Sequence, residues 1–317
     1  MKLMLLLLLL PIASHRLRRT KFREELISGA GIGLRSVHHL EVLDTLPLVP
    51  WWEVHTENFF ADGGKQLDFL AKLSALYPLS FHGVGLSLGS ADGISIGHLQ
   101  RIQCLVKQFK PSLLSEHLSW SAFNGEYVND LCPIPYTRES LSVVIDNINR
   151  TQDFLSQQLL IENPSSYLKF KTSTMTEEEF ILQVALKTGC GLLLDLNNVY
   201  VSSKNLDLDY KKYVDLITAE PQFIKEIHLA GHSVVQARGL TMRIDTHNTH
   251  VIDEVWELYE YVISKIGPRA TLVEWDKDIP ELNILQREAK LAQLILDKYT
   301  SVGNNYDKSS VVAAQVH

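Results

Sequence analysis

The sequence has little cysteine, no excess of positive charge and only one long apolar run. Its three cysteines, Cys104, Cys132 and Cys190, lie far apart and form no C-x-x-C pair, which argues against a disulfide framework and a thiolate zinc site. The net charge of -7 disfavours nucleic-acid binding through a general positive field. No repeat or Pro/Gly-rich linker interrupts residues 25–299, so one domain is expected.

The apolar run, Leu3 to Leu10, follows Lys2 and has the layout of a short signal peptide. It is too short to cross a bilayer, so no stable membrane span is expected. The basic residues Arg16 and Arg18 behind it disfavour export. We therefore interpret residues 1–24 as a signal-like or mis-annotated leader, with a cytoplasmic location favoured and export left open.

The remaining chain alternates short apolar or β-branched runs with longer amphipathic segments eight times, which is typical of βα units. The predicted strands are Gly31–Arg35, Trp51–His55, Leu79–His82, Leu113–His117, Leu159–Glu162, Gly191–Asp195, Ile224–His228 and Thr271–Glu274. Eight units favour a closed barrel, which commonly needs about 250 residues. The predicted fold class is α/β, a single-domain (β/α)8 TIM barrel over residues 25–299. A disordered tail is predicted over residues 300–317.

Nearly every predicted strand finishes on a side chain that can bind a metal or make a strong hydrogen bond. These strand ends carry His55 with Glu57, His82, Glu116-His117, Glu162-Asn163, Asp195, His228 and Glu274. The carboxyl ends of all strands of such a barrel open onto one face, where active sites lie. Loops add Asn197-Asn198 and the triplet Asp245-Thr246-His247. The sequence therefore predicts that these residues meet in one pocket.

Four carboxylates in this pocket, Glu162, Asp195, Asp245 and Glu274, would repel one another. Two like charges about 4 Å apart cost on the order of 4 kcal/mol at an effective dielectric near 20, so cations must compensate or several carboxyl groups must be protonated. Imidazoles are available from His82, His117, His228 and His247. A mixed histidine and carboxylate shell suits iron, zinc or manganese. Metal binding is therefore predicted, with the metal left open.

The order of these residues resembles that of the barrel superfamily that includes endonuclease IV and xylose isomerase. In that superfamily His, His, Glu, Asp-x-x-His, His, Asp-x-His and Glu follow one another. Here the order is His82, His117, Glu162, Asp195-x-x-Asn198, His228, Asp245-x-His247 and Glu274. The one departure, Asn198, weakens a zinc phosphodiesterase interpretation, because an amide oxygen is a poorer zinc ligand than imidazole.

Longer sequence motifs resemble a family within this superfamily, the multinuclear non-heme iron-dependent oxidases. The resemblance extends over about residues 29–296. The motifs are His82-Gly-Val-Gly-Leu-Ser-Leu-Gly-Ser90, Ser115-Glu-His-Leu-Ser-Trp120, Ile161-Glu-Asn-Pro-Ser-Ser-Tyr167, Asp195-Leu-Asn-Asn-Val-Tyr-Val201, Glu226-Ile-His-Leu-Ala-Gly-His232 and Asp245-Thr-His247. This resemblance implies two or three iron ions, dioxygen as co-substrate and oxidation of cysteine residues in a ribosomally made precursor peptide. It also implies a small partner protein that captures the peptide leader.

The resemblance also implies roles for individual residues. The implied metal ligands or their bridging neighbours are His82, His117, Glu162, Asp195, Asn198, His228, Asp245, His247 and Glu274. Catalytic roles are predicted for His232, Asp245 and Glu116. His232 could donate protons, bind a third iron or orient a ligand, and Glu116 could fix a ligand by hydrogen bonding. Substrate-binding or outer-shell roles are predicted for Arg35, His55, Glu57, Asn163 and Asn197.

Three functions thus remain in competition at the level of the sequence. The first is an iron oxidase that acts on a peptide cysteine. The second is a divalent-metal hydrolase or isomerase on the same barrel, which would work without oxygen. The third is a metal-binding protein without catalysis.

Overall fold

The computed structural model describes residues 27–237 and 239–313, with the backbone alone for residue 237 and residues 301–313. The predicted leader, residues 1–24, lies outside the described residues. The strands are β1 (Ala30–Gly33), β2 (Trp52–His55), β3 (Leu79–Gly83), β4 (Leu113–His117), β5 (Trp120–Phe123), β6 (Glu126–Cys132), β7 (Leu160–Glu162), β8 (Gly191–Asp195), β9 (Ile224–Leu229), β10 (Ser233–Ala237), β11 (Leu240–Ile244) and β12 (Ala270–Val273). The α-helices are α1 (His39–Thr45), α2 (Lys65–Ser74), α3 (Ile96–Phe109), α4 (Arg138–Leu155), α5 (Glu177–Thr188), α6 (Leu196–Leu206), α7 (Tyr210–Thr218), α8 (Asp253–Ile266) and α9 (Leu282–Ala313).

Eight parallel strands close into a barrel in the order β1-β12-β9-β8-β7-β4-β3-β2. All eight predicted strands are present and the predicted TIM-barrel fold is confirmed. Small shifts occur at the ends, since Arg35 lies two residues beyond β1 and Glu274 one residue beyond β12. The sequence reading missed two antiparallel hairpins, β5-β6 and β10-β11, which lie in the connections after β4 and β9.

The barrel interior is layered, because every second residue of a strand points inward. At the amino-terminal end of the strands, Trp51, Ala270 and Leu272 pack together as an apolar floor. A Cβ atom on Gly31 would lie 2.4 Å from the indole of Trp51, so the strand needs glycine where this ring fills the barrel. Towards the carboxyl-terminal ends of the strands the inward side chains become polar. The predicted site residues lie in this half of the barrel.

The helices cover the outside of the barrel and bury one continuous apolar core between the two layers. Their ends follow the sequence signals. Thr176 and Glu179 form the predicted capping box at the start of α5, and Gly189 ends the helix with φ of 68°. Within the described part of the chain, no helix is both long and apolar enough to span a membrane.

The last helix differs from its prediction. Helix α9 continues through residues 300–313, where the sequence predicts a disordered tail, and residues 314–317 lie outside the described part. The stretch contains one glycine, Gly303, and no proline. A single glycine in a helix costs about 1 kcal/mol relative to alanine and does not by itself end it.

Candidate metal centre

The first group of ligand atoms comes from three neighbouring strands, β3, β4 and β7. His82 Nε2 and His117 Nε2 lie 3.3 Å and 3.2 Å from Glu162 Oε2. All three side chains are buried. The barrel register places them together, because His82 pairs with Ser115 on β4 and His117 pairs with Glu162 on β7. Two imidazoles and one carboxylate thus converge on one point.

The other nitrogen of each imidazole is held by a hydrogen bond. His82 Nδ1 lies 2.7 Å from Ser115 Oγ, and His117 Nδ1 lies 3.1 Å from the carbonyl oxygen of Gly83. A carbonyl oxygen only accepts, so Nδ1 of His117 carries a proton and Nε2 is the nitrogen that would bind a metal ion after losing its own proton. Such outer contacts fix the tautomer and the ring orientation of metal-binding histidines.

Two further groups continue from the first. Glu162, Asp195 and His228 bring ligand atoms within 4.8 Å of one another, and so do Asp195, His247 and Glu274. Glu162 is common to the first and second groups, and Asp195 to the second and third. Shared carboxylates can bridge two ions, so the arrangement suits a multinuclear centre.

Several of these atoms have no hydrogen-bond partner among the described residues, although they are buried. They are Glu162 Oε2, Asp195 Oδ2, His228 Nε2 and His247 Nε2. Orphaned buried polar atoms are rare and costly in folded proteins. Atoms that face one another without hydrogen-bonding are what ligands of a common ion look like, so the residues present fit a bound metal.

Charge in this part of the site is poorly balanced. Burial raises the pKa of Glu162 to about 8 and that of Asp195 to about 7, and nearby histidines offset only part of this effect. Burial alone would lower the pKa of His117, but the carboxylates of Glu162 and Glu116 outweigh it and raise the pKa to about 10. The metal-free site therefore retains protons near neutral pH, and a bound cation would displace them.

The loop triplet lies beside these groups: His247 belongs to the third one, whereas Asp245 belongs to none of the groups with metal-ligand spacing among the described residues. Asp245 Oδ1 lies 2.7 Å from His247 Nε2 and accepts a hydrogen bond from Asn197 at 2.8 Å. His247 has φ of 42°, an uncommon conformation for a residue with a side chain and one that is often found at functional sites. His232 contacts Asn197 Oδ1 at 2.9 Å and belongs to none of the groups with metal-ligand spacing among the described residues.

The asparagines predicted near the centre form hydrogen bonds to the candidate ligands. Asn163 donates to the carbonyl oxygen of Asp195 and accepts from its amide, which fixes the start of α6. Asn198 donates to Glu162 at 3.4 Å, while its own oxygen accepts from Ser165 at 2.8 Å. In this arrangement Asn198 presents its NH2 group, and not its oxygen, to the carboxylates.

The carboxylates of Glu116 and Glu57 are engaged by backbone amides. Glu116 accepts hydrogen bonds from the amides of Leu86 and His117, each at 2.9 Å. Glu57 accepts from the amides of Val84 and Gly85 and contacts His98 Nε2 at 3.1 Å. Both carboxylates therefore hold the backbone of the loop after β3, and Glu116 Oε1 also lies 3.7 Å from His117 Nδ1.

Arg35 is buried and forms ion pairs on the opposite side of the centre. Its guanidinium bonds to Glu274 at 3.1 Å and to Asp276. His55 Nε2 lies 3.6 Å from Glu274 and 3.8 Å from Asp276. His55, Glu274 and Asp276 therefore also have metal-ligand spacing. Arg35 already supplies the positive charge there, which leaves less need for a metal ion.

The sequence reading missed three carboxylates. Glu53 Oε2 lies 3.4 Å and Glu226 Oε1 lies 3.8 Å from His228 Nε2, and burial raises the pKa of Glu53 to about 7. Asp276 contacts His247 Nδ1 at 2.9 Å. Glu53 and Glu226 each stand two residues before a histidine at a strand end. The inward alternation of a strand could therefore have revealed both.

Comparison of the chain with known proteins gives its family. The sequence model described as "RiPP precursor modification enzyme MbnB/TglH/ChrH" matches residues 29–297. The chain belongs to this family. RiPP denotes a ribosomally synthesised and post-translationally modified peptide. A UPF0276 protein of Chromobacterium violaceum is 49% identical over 266 residues, 84% of this chain and 94% of that protein. A UPF0276 protein of Psychromonas ingrahamii is 48% identical over 259 residues, 81% and 90% of the two chains.

Several solved structures share this barrel fold at low sequence identity. D-psicose 3-epimerase from Clostridium cellulolyticum has a TM-score of 0.55 at 8% identity and covers 86% of this chain and 99% of its own. Endonuclease IV from Thermus thermophilus has a TM-score of 0.52 at 12% identity, with coverage of 86% and 99%. These likenesses establish the fold of this MbnB/TglH/ChrH family member and nothing about its reaction.

Proposed function

We propose that the protein is a multinuclear non-heme iron-dependent oxidase that uses dioxygen to modify cysteine residues of a ribosomally synthesised peptide. The observation that supports this most is the series of three ligand groups that share Glu162 and Asp195. Membership of a family of precursor modification enzymes supports the peptide substrate. A small protein that binds the peptide leader is a further proposed partner.

Iron fits the donors that the chain offers. The proposed ligands are His82, His117, Glu162, Asp195, His228, Asp245, His247 and Glu274, with Asn198 beside them. Imidazole and carboxylate donors without thiolate are typical of non-heme iron. Two or three ions bound there would supply the binding of dioxygen and of a substrate thiolate, and the change of oxidation state that an oxidase needs.

The residues around the ligands have proposed positioning roles. Asn197 forms hydrogen bonds with both His232 and Asp245. His232 therefore positions Asp245 indirectly, through Asn197. Asn163 fixes the backbone of Asp195 through two hydrogen bonds. His55, whose side chain is 22% exposed, lies where the cluster meets solvent and is the proposed contact for the substrate.

The proposal is tested with protein purified in the absence of oxygen. We expect two or three iron ions per chain by elemental analysis and a coupled multi-iron signature in Mössbauer spectra. Dioxygen should be consumed with a cysteine-containing peptide encoded beside the gene, and not with the same peptide carrying Cys→Ser. Protein that holds only zinc or magnesium and turns over without oxygen would instead support a divalent-metal hydrolase or isomerase.

A further inference from the structure

A second cavity lies beside the metal centre, on the other side of α6. Its volume is about 490 Å³, within the range of pockets that hold small ligands. The loop between β7 and α5, the start of α5, α6 and the start of α7 enclose it. Its largely apolar wall includes Ile134, Phe170, Met175, Val199, Leu206 and Tyr210.

One carboxylate, Glu177, faces this cavity among hydroxyl groups. The hydroxyl of Tyr136 donates to Glu177 Oε2 at 2.7 Å, and that of Tyr213 donates to Oε1 at 3.0 Å. Ser166 donates to Oε2 at 3.4 Å. A carboxylate oxygen can accept two hydrogen bonds, so Oε1 retains room for another donor. Every donor in this group is a neutral hydroxyl.

A second carboxylate adds negative charge to the same wall. Glu178 is buried next to Glu177 and lines the same cavity. Within the described side chains, no lysine or arginine forms an ion pair with either glutamate. The exposed rim of the cavity carries two lysines, Lys169 and Lys212, and two aspartates, Asp207 and Asp209. The rim therefore adds no net charge. The inner wall therefore favours a cation on an apolar stem, which aromatic rings also attract.

The cavity and the metal centre share their dividing wall. Ser165 donates to Asn198 on the side of the metal centre, while the next residues, Ser166 and Val199, line the cavity. A helix is about 10 Å across, and an extended chain advances about 3.3–3.6 Å per residue. A peptide with one residue at the metal centre would thus reach the cavity about three or four residues away.

We propose that this cavity binds a lysine or arginine side chain of the peptide substrate, about three or four residues from the cysteine at the metal centre. The cation preference follows from the cavity alone. Only the assignment of the cation to the substrate peptide rests on the proposed function.

The cation preference is tested with three small probes of one stem length: hexylamine, 1-hexanol and hexanoate. Calorimetric titration of the full-length protein at pH 7.5 should show hexylammonium binding about tenfold more tightly than hexanol, with hexanoate weakest. Glu177→Gln should remove this preference, because its amide oxygen can still accept from one tyrosine and its NH2 group can donate to the other hydroxyl, but the charge is gone. Glu257→Gln, exposed on α8, should leave the preference unchanged. Equal affinity for all probes, or an unchanged preference in Glu177→Gln, would overturn the proposal.

The peptide arm uses the peptide encoded beside the gene, with each basic residue replaced by methionine in turn. Replacement of one basic residue three or four positions from the cysteine should raise KM about tenfold and leave kcat within a factor of two, and Glu177→Gln should cancel this effect. Equal KM for all replacements would overturn the assignment to the peptide. If no peptide is oxidised, the proposed function fails, while the probe titrations still decide the cation site.

Discussion

Glu162 and Glu274 are both buried at the same end of the barrel, yet their surroundings differ. Around Glu162 the neighbours are imidazoles and the Asn198 amide, and burial raises its pKa to about 8. Burial would also raise the pKa of Glu274, but His247, His228 and His55 outweigh it and hold the pKa well below its usual value. Arg35 adds a fixed positive charge at 3.1 Å. The chain therefore balances one carboxylate itself and leaves the other to a proton or a metal ion.

The largest expected effect comes from removing the carboxylate that the chain leaves unbalanced. Glu162→Gln keeps the shape but withdraws the charge shared by two ligand groups. We expect metal content to fall by up to two ions per chain and peptide oxidation to become undetectable. Elemental analysis and oxygen uptake provide the measurements, with Asp146→Asn, exposed on α4, as the matched control. Full metal content in Glu162→Gln would show that this carboxylate is not a shared ligand.

Removing the positive charge of Arg35 beside Glu274 should lower the stability of the protein. Arg35→Met leaves the buried carboxylate of Glu274 without its cation, and breaking a buried ion pair typically costs about 3–5 kcal/mol. The free energy of unfolding, measured with urea, should fall by this amount, and Arg35→Lys should recover part of it. The sequence reading assigned Arg35 to substrate binding. A raised KM with unchanged unfolding free energy would favour that role over a positioning role.

The arrangement of side chains could be predicted from the sequence further on one side than on the other, and this difference has a physical cause. Barrel topology alone brings His82, His117 and Glu162 together, because adjacent parallel strands end on the same face. Arg35 acquires its role from Asp276, which is 241 positions away in the chain and lies beyond the predicted end of its strand. Side-chain pairing of this kind depends on loop geometry that no local pattern encodes. The same limit applies to the hydrogen bonds that turn the Asn198 oxygen away from the cluster.

The smallest expected effect is a pH dependence of the stability of the metal-free protein. It comes from the carboxyl groups around Glu162. In the metal-free protein the pKa values of Glu162, Asp195 and Glu53 are raised to about 8, 7 and 7. A raised pKa means that the folded protein prefers the neutral acid. Its stabilising contribution is complete below the ordinary pKa of 4.5 or 3.8 and is lost as the pH rises through about 7 to 8. His117, with a pKa raised to about 10, acts in the same direction at higher pH.

The melting temperature of metal-free protein should therefore fall by several degrees between pH 6 and pH 9, since 1 kcal/mol corresponds to about 2–4 °C in a domain of this size. Anaerobically iron-loaded protein should not show this fall, because the ions take the place of the protons and pair with the ionised carboxylates. Glu274 does not contribute, because its lowered pKa keeps it ionised throughout this range. Calorimetry of both forms at four pH values measures the difference, and Glu162→Gln should flatten the metal-free curve. A metal-free protein that is more stable at pH 9 than at pH 6 would mean that the carboxylates around Glu162 are already balanced by the chain, as Glu274 is.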